Sequence, residues 1–378
     1  MNPENASIST GRLESLDILR GLDMFLLVFL QPVVVAAAHA SGAQWLEPLL
    51  RQLDHEAWAG FRAWDIVMPL FLFMSGVSMP FSLGKLNNLP RRHVYLKILK
   101  RVIVLFLLGM VVQGNLPALD LHVLRFYSNT LQAIAAGYLI SSLIVLNLPL
   151  RGQIAATAAL LLVYWLPMTL RGDFTPDGNF AEMVDRTLLG RWRDGVYWDA
   201  DGVWHFSPHY SYTWIWSSLT FGVTVMLGNF AGTIMKRAAT AGARPEAALM
   251  MAVTGVALVV AGLLWHLQMP IIKRLWTCSM TLFSGGICFI LMALFYWWVD
   301  VRGHSHGLGW LKIYGMNSIT AYVLGEAVNF RSAAASLTYG LEHIIGSAWY
   351  AAWLTFANFA IVFLILLAMY RRRIFIKI

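Results

Sequence analysis

The chain has 378 residues, of which 58% are hydrophobic and 13% charged, with a formal net charge of +8. That balance excludes an ordinary soluble domain, and activity is expected in a membrane bundle or its loops. The basic excess falls in short segments between apolar runs, so it calls for no nucleic-acid partner.

Apolar runs of about 20 residues, the length that crosses a bilayer, predict ten spans, at 16–38, 64–84, 98–114, 126–147, 153–170, 213–235, 247–267, 276–299, 312–330 and 348–370. The start is polar and the first apolar run is long enough to span, so no cleavable signal peptide is expected. Lysine and arginine favour short cytoplasmic loops. Placing both termini inside gathers there Arg12, Arg20, the cluster Lys85, Arg91, Arg92, Lys97, Lys100 and Arg101, then Arg151, Lys236, Arg237, Arg244, Arg302 and Lys312. The tail residues Arg371, Arg372, Arg373 and Lys377 join them. The expected fold is an all-α polytopic membrane bundle of about ten transmembrane helices, residues 1–378 forming one domain, with both termini cytoplasmic.

Ionisable groups inside spans are costly, so each is a functional candidate. In "SLDILRGLDMFLLVFLQ", Asp17, Arg20 and Asp23 are three apart and share a helix face. They read either as an Asp–Arg–Asp ladder between helices or, through arginine, as an anchor for a cytosolic phosphorylated ligand. In "LDHEAWAGFRAWDIVMPLFLFMSG", His55 and Trp58 lie in the first outer loop and Asp65 opens the second span. Asp65 suits a helix N-terminus. His55 is either a surface histidine or the side chain best tuned to move protons near neutrality.

The largest outer segment, 171–212, is rich in Asp, Trp and Tyr. Such residues suit a carbohydrate, whose C–H faces pack on rings, and equally an interfacial aromatic belt. In "MPIIKRLWTCS", Lys273 and Arg274 form a rare outer basic pair beside Trp276 and Thr277, either an interfacial anchor or a contact to an anion or hydroxyl. Cys278 and Cys288 share one helix about 15 Å apart, too far for a disulfide. In "WLKIYGMNSITAYVLGEAVNF", Asn317 lies near the inner end and Glu326 about 13 Å further out. A carboxylate that deep needs a partner or a wet cavity, while Gly315 and Gly325 permit close approach. No metal-ligand cluster, P-loop, GxGxxG or internal repeat is visible.

Taken together, six blocks resemble the heparan-α-glucosaminide N-acetyltransferase family and its bacterial relatives. "RLESLDILRGLDMFLLVF" is similar to that family's opening R-x-x-S-L-D-x-x-R-G. "HEAWAGFRAWDIVMPLFLFMSGVS" follows H-x-x-W-x-G-x-x-x-x-D-x-x-x-P-x-F-x-F-x-x-G-x-S. "NTLQAIAAGYLISSLI" resembles the L-Q-R-I-A helix, with Ala133 where arginine is usual. "YWDADGV", "PIIKRLWTCS" and "IYGMNSITAYVLGE" correspond to F-D-x-E-G-L, P-I-N-K-x-L-W-T-x-S and G-M-N-S-I-x-x-Y-x-x-x-E.

The resemblance implies a transmembrane acyltransferase-type bundle in a bacterial inner membrane. Acetyl-CoA would serve as co-substrate from the cytosolic side, and a glucosamine-type amine would accept the acetyl group on the periplasmic side, where 171–212 forms the large loop. No metal is implied. A homodimer is expected from the family's habit. The family's active-site histidine carries over to His55. Gln31 stands where the family has an asparagine, one methylene longer and on a longer spacer from the histidine.

His55 is then the general base, or in a ping-pong route the acetylated nucleophile. Gln31 orients the thioester or donates to its oxyanion. Asp65 or Glu326 holds the ammonium or raises the basicity of His55. Trp58, Lys273 and Trp276 are candidate sugar contacts, with Glu326 and Asn317. Arg20 is the candidate contact to CoA phosphates. Asn129, Gln132, Asn317 and Ser318 are candidates to line a polar tunnel for the pantetheine arm, or else to bond between helices. The rival readings are a transporter for amino sugars or oligosaccharides, and an O- or N-acyltransferase acting on another cell-envelope glycan.

Overall fold

The computed structural model describes residues 13–86, 89–208 and 212–376. Arg12 and Lys377, used above for orientation, lie outside the described residues, as does the side chain of Lys85. In chain order the main helices are α1 (Glu14–Ser41), α2 (Ala63–Leu83), α3 (Arg91–Val112), α4 (Thr130–Asn147), α5 (Leu150–Leu170) and α6 (Phe180–Leu189). There follow α7 (Ser218–Ala241), α8 (Arg244–His266), α9 (Cys278–Val301), α10 (Gly309–Met316), α11 (Ser318–Ala327) and α12 (Ser347–Arg371). Short helical turns lie in the connections between them. Within 171–212 a hairpin pairs β1 (Val196–Trp198) with β2 (Trp204–Phe206) antiparallel, Tyr197 opposite His205. This is a small departure from an all-helical expectation.

Eight of the ten expected spans are single helices long and apolar enough to cross a membrane: α1, α2, α4, α5, α7, α8, α9 and α12. The other two differ for identifiable reasons. Helix α3 has 22 residues, but Arg91, Arg92, Lys97, Lys100 and Arg101 occupy its first half and leave a short apolar remainder. The expected ninth span is broken at Asn317, whose backbone leaves helical geometry at φ −125° and ψ 38°. The side chain of Asn317 is committed to the C-terminal tail. It donates to Ile374 O at 3.1 Å and accepts from Ile376 N at 3.2 Å.

Helix α1 holds a π-helical turn at Leu26–Leu30. The turn precedes Pro32, whose ring and missing N–H would otherwise disrupt the regular ladder, and one wide turn absorbs that mismatch. Helix α7 is the most enclosed span and packs on α2, α4, α5, α8 and α9. Its approach to α2 is backbone to backbone. A Cβ on Gly228 would sit 1.9 Å from Phe73 O, and one on Gly76 1.9 Å from Val225 O. Lipid supplies no hydrophobic drive between helices, so such small-residue contacts carry the association. Helices α1 and α10 cross in the same way, at Gly21 and Gly315.

Candidate active site

The loop 53–62 is fastened on two sides. Gly60 N donates to Ile271 O at 2.9 Å, Ala59 pairs with Ile272, and Trp58 Nε1 donates to Phe174 O at 2.7 Å. Within the loop, Arg62 grips Glu56 through Nε and a terminal nitrogen at 2.9 and 3.1 Å. The partner segment 269–277 is itself tightly folded. Thr277 caps α9 and donates to Pro270 O at 2.8 Å, while Trp276 N donates back to Lys273 O at 3.0 Å. These contacts bring together three groups far apart in the chain.

Asp65, fully buried in the first turn of α2, is the centre of that cluster. Its Oδ2 accepts from Arg62 N at 2.9 Å and Glu56 N at 3.2 Å. Its Oδ1 lies 2.9 Å from His55 Nδ1 and 3.5 Å from Lys273 Nζ. An ionised carboxylate only accepts, so Nδ1 carries the ring hydrogen and Nε2 keeps its lone pair. Lys273 Nζ is 3.1 Å from that Nε2 and 2.8 Å from Nδ1. His55 keeps 36% of its side chain exposed, whereas Lys273 keeps 5%.

Burial pulls the His55 imidazole below its ordinary 6.5; the hydrogen bond to Asp65 opposes this and the Lys273 charge reinforces it. Burial also lowers the Lys273 ammonium to about 8, although the Asp65 charge pulls upward. A base whose pKa is depressed keeps its working, neutral form to lower pH. The acid limb of kcat/KM for any reaction that uses His55 as base is therefore expected to have its midpoint below 6.5. A midpoint at or above 6.5 in a pH–rate profile would contradict this arrangement.

His55 and Lys273 open into a cavity of about 260 Å³ whose walls also include Leu27, Phe71, Gln113, Asn129, Tyr212, Trp214, Tyr322 and Glu326. A second cavity, of about 420 Å³, adjoins it and lies towards the end of the bundle that holds Arg20 and Ile376. Phe71, Thr130 and Tyr322 belong to both walls. The second cavity is lined by Asp17, Arg20, Ser75, Ser78, Ser82, Arg101 and Ser318, among others. Arg101 lies 4.3 Å over the ring of Tyr138, and its Nε is buried without a hydrogen-bond partner among the described residues.

Of the residues singled out in the sequence, His55, Asp65 and Lys273 form one cluster, and Glu326 and Asn129 share the cavity wall with two of them. Arg20 and Ser318 line the second cavity. Gln31 is not in either wall; its Nε2 reaches Leu53 O at 3.4 Å, two residues before His55. Trp58 and Trp276 also stand back from the cavities. Trp276 is buried with φ +53°, and its indole nitrogen donates to Thr224 Oγ1 at 3.0 Å.

Asn129 caps α4 by accepting from Leu131 N at 2.9 Å and donates to Gly109 O at 2.7 Å. Gln132 is buried and donates to Phe126 O at 2.6 Å. Asn317 faces the tail. Asp17 and Arg20 reach the second cavity, but Asp23 is buried with neither oxygen hydrogen-bonded among the described residues, so the three do not form a single ladder there.

Sequence reasoning missed Tyr212, Trp214, Gln113 and Tyr322. Tyr322 had a signal, since it precedes Glu326 by four residues and so shares its face. Trp214 is held by the large loop. Its backbone N donates to Asp185 at 2.7 Å and its indole to Asp194 at 2.9 Å. Asp185 sits on α6, where burial raises its carboxyl to about 7 against the pull of the Ile215 and Trp214 amides. Glu182, on the same helix, is paired with Arg186 and the fully buried Arg193.

Eight helices long and apolar enough to cross a membrane, with two adjoining cavities and a carboxylate–imidazole–ammonium cluster at one end, define a multi-pass membrane protein. Residues 12–181 match the family model for heparan-alpha-glucosaminide N-acetyltransferase, catalytic. That part of the chain is thus similar to the catalytic domain of a transmembrane N-acetyltransferase family that uses acetyl-CoA. No curated protein matches the chain.

Proposed function

We propose that the protein moves an acetyl group from cytosolic acetyl-CoA to the amine of a glucosamine-type sugar on the other side of a bacterial inner membrane. The observation that carries this reading is the pair of neighbouring cavities that share Phe71, Thr130 and Tyr322 in their walls, with arginines lining one and His55 the other. CoA is too polar to cross lipid, so its thioester can meet an acceptor on the far side only through such a passage. Lysine and arginine in the segments on the Arg20 side support a cytoplasmic position for that side and for both termini.

Arg20 and Arg101 are the groups to hold phosphate, and the unsatisfied Nε of Arg101 supports a missing anionic partner there. Ser75, Ser78 and Ser82 give the pantetheine arm a run of hydroxyls along α2. At the other end Asp65 fixes the His55 tautomer, and Nε2 takes the proton of the attacking amine. Glu326 offers a carboxylate to the sugar ammonium, and Tyr212 and Trp214 offer ring faces to the pyranose. A volume of about 260 Å³ suits one sugar unit rather than several.

Purified protein given radiolabelled acetyl-CoA and glucosamine tests the reading. Labelled N-acetylated sugar is expected, and in proteoliposomes it should form when donor and acceptor are on opposite sides. Unmodified sugar crossing proteoliposomes without any acetyl donor would instead favour a carrier, to which a passage through the bundle is also suited. Arg101→Ala should raise the KM for acetyl-CoA by about 10- to 100-fold, the worth of a charged hydrogen bond of about 1.5–3 kcal/mol. Its kcat should be little changed, and an unaltered KM would remove Arg101 from the donor site.

A further inference from the structure

We propose that Lys273 is a second catalytic residue, the acid that protonates the departing CoA sulfur, and that it recovers its proton from His55. This rests on the acetyltransferase reading above. The amine gives up a proton on forming its amide, and the thiolate must gain one. Both events occur at the same carbonyl carbon, in a cavity lined by both His55 and Lys273.

Lys273 Nζ is within hydrogen-bonding distance of both ring nitrogens of His55, at 2.8 and 3.1 Å. Asp65 lies 3.5 Å from the same ammonium. The other titratable or charged groups facing it are Asp54, Arg274, Tyr212 and Glu326. A lysine only 5% exposed, beside a histidine, is poorly suited to be a membrane-surface anchor.

The step balances as follows. In the resting site Lys273 donates an N–H to Nε2 of His55, which therefore cannot act as a base. When the ammonium turns its N–H to the thioester sulfur, Nε2 becomes free. The neutral amine attacks the carbonyl carbon, a C–N bond forms, and the amine proton passes to Nε2. The C–S bond breaks with its electron pair on sulfur, and sulfur takes a proton from Nζ. The imidazolium proton then crosses to the neutral Lys273 amine, and the site returns to its starting state. The sum is amine plus thioester giving amide plus thiol. Burial, which brings the ammonium to about 8, matches it to a thiol at about 8.5, so neither transfer is steeply uphill.

The experiment compares two donors, acetyl-CoA and 4-nitrothiophenyl acetate, whose thiolate leaves without a proton. With acetyl-CoA, Lys273→Met should be slower by about 10²-fold, the usual worth of a general acid, and should lose the alkaline limb near pH 8. With the activated thioester it should be within about 10-fold of wild type. Lys273→Arg keeps the charge but holds its proton too tightly to give it up, so it should be as slow as Lys273→Met with acetyl-CoA. Thermal melting and gel filtration of both variants guard against misfolding. Equal slowing with the two donors, or full activity of Lys273→Arg, overturns the acid role. The underlying reading is judged separately by the wild-type protein with acetyl-CoA and glucosamine, where no N-acetylated sugar overturns it; His55→Ala should fail with both donors, and a variant that still acetylates glucosamine overturns the proton return from His55 alone.

Discussion

Replacing His55 by alanine should slow sugar acetylation by about 10²- to 10⁴-fold, the range for loss of a positioned general base, and more if His55 carries the acetyl group. The donor's KM should move little, because Arg20 and Arg101 lie in the other cavity. Asp65→Asn should lose nearly as much. The amide would present an N–H or a carbonyl to Nδ1 where the tautomer requires a carboxylate, and it would leave Lys273 beside His55 without its compensating charge. The double variant should be no slower than His55→Ala alone, since groups that act as a unit are not additive. Steady-state kinetics with acetyl-CoA and glucosamine check all three. Retention of more than about a tenth of the activity in His55→Ala would contradict the role of His55 as a general base.

Gly228→Leu should prevent recovery of a stable, monodisperse protein. Even the first carbon of the new side chain would stand 1.9 Å from Phe73 O. Overpacking of a core by flexible side chains costs about 1–3 kcal/mol. Here the obstacle is a backbone oxygen that cannot rotate away, so helices α2 and α7 must part along their length. Gly228 lines neither cavity, and the loss is therefore one of folding and not of chemistry. Gly228→Ala should be affected in the same direction but less, as read by melting temperature in detergent. A Gly228→Leu variant that melts like wild type would mean that α2 and α7 are not packed in this way.

The spans were legible because hydropathy and length alone decide them. Of the two exceptions, only one involves residues outside its own window. The apolar part of α3 is shortened by its own basic cluster, whereas at the break the Asn317 side chain bonds the distant tail residues Ile374 and Ile376. At the site, His55 and Asp65 are ten residues apart and were readable as a pair. The position of Lys273 against His55, 218 residues away, was not, and the sequence alone suggests a sugar contact there.

Trp58 and Trp276 are expected as sugar contacts, but a sequence gives the ring and not its direction. Their indole N–H groups fasten segments together. Asn129 and Gln132 are expected to line a tunnel for the pantetheine arm or to bond between helices, and much of their hydrogen-bonding capacity is spent on holding the start of α4.

The fastening of loop 53–62 bears on how the molecule comes into being. Its two clasps are Phe174, which lies inside the segment matched by the family model, and Ile271 with Ile272, which lies nearly a hundred residues beyond it. A ribosome that has released only residues 1–181 has made His55, Asp65 and Phe174 but none of Tyr212, Lys273 or Glu326. The nascent protein has an imidazole on a loop held at one side and a cavity lacking part of its wall. A product truncated at Ala181 would lack the lysine that faces His55.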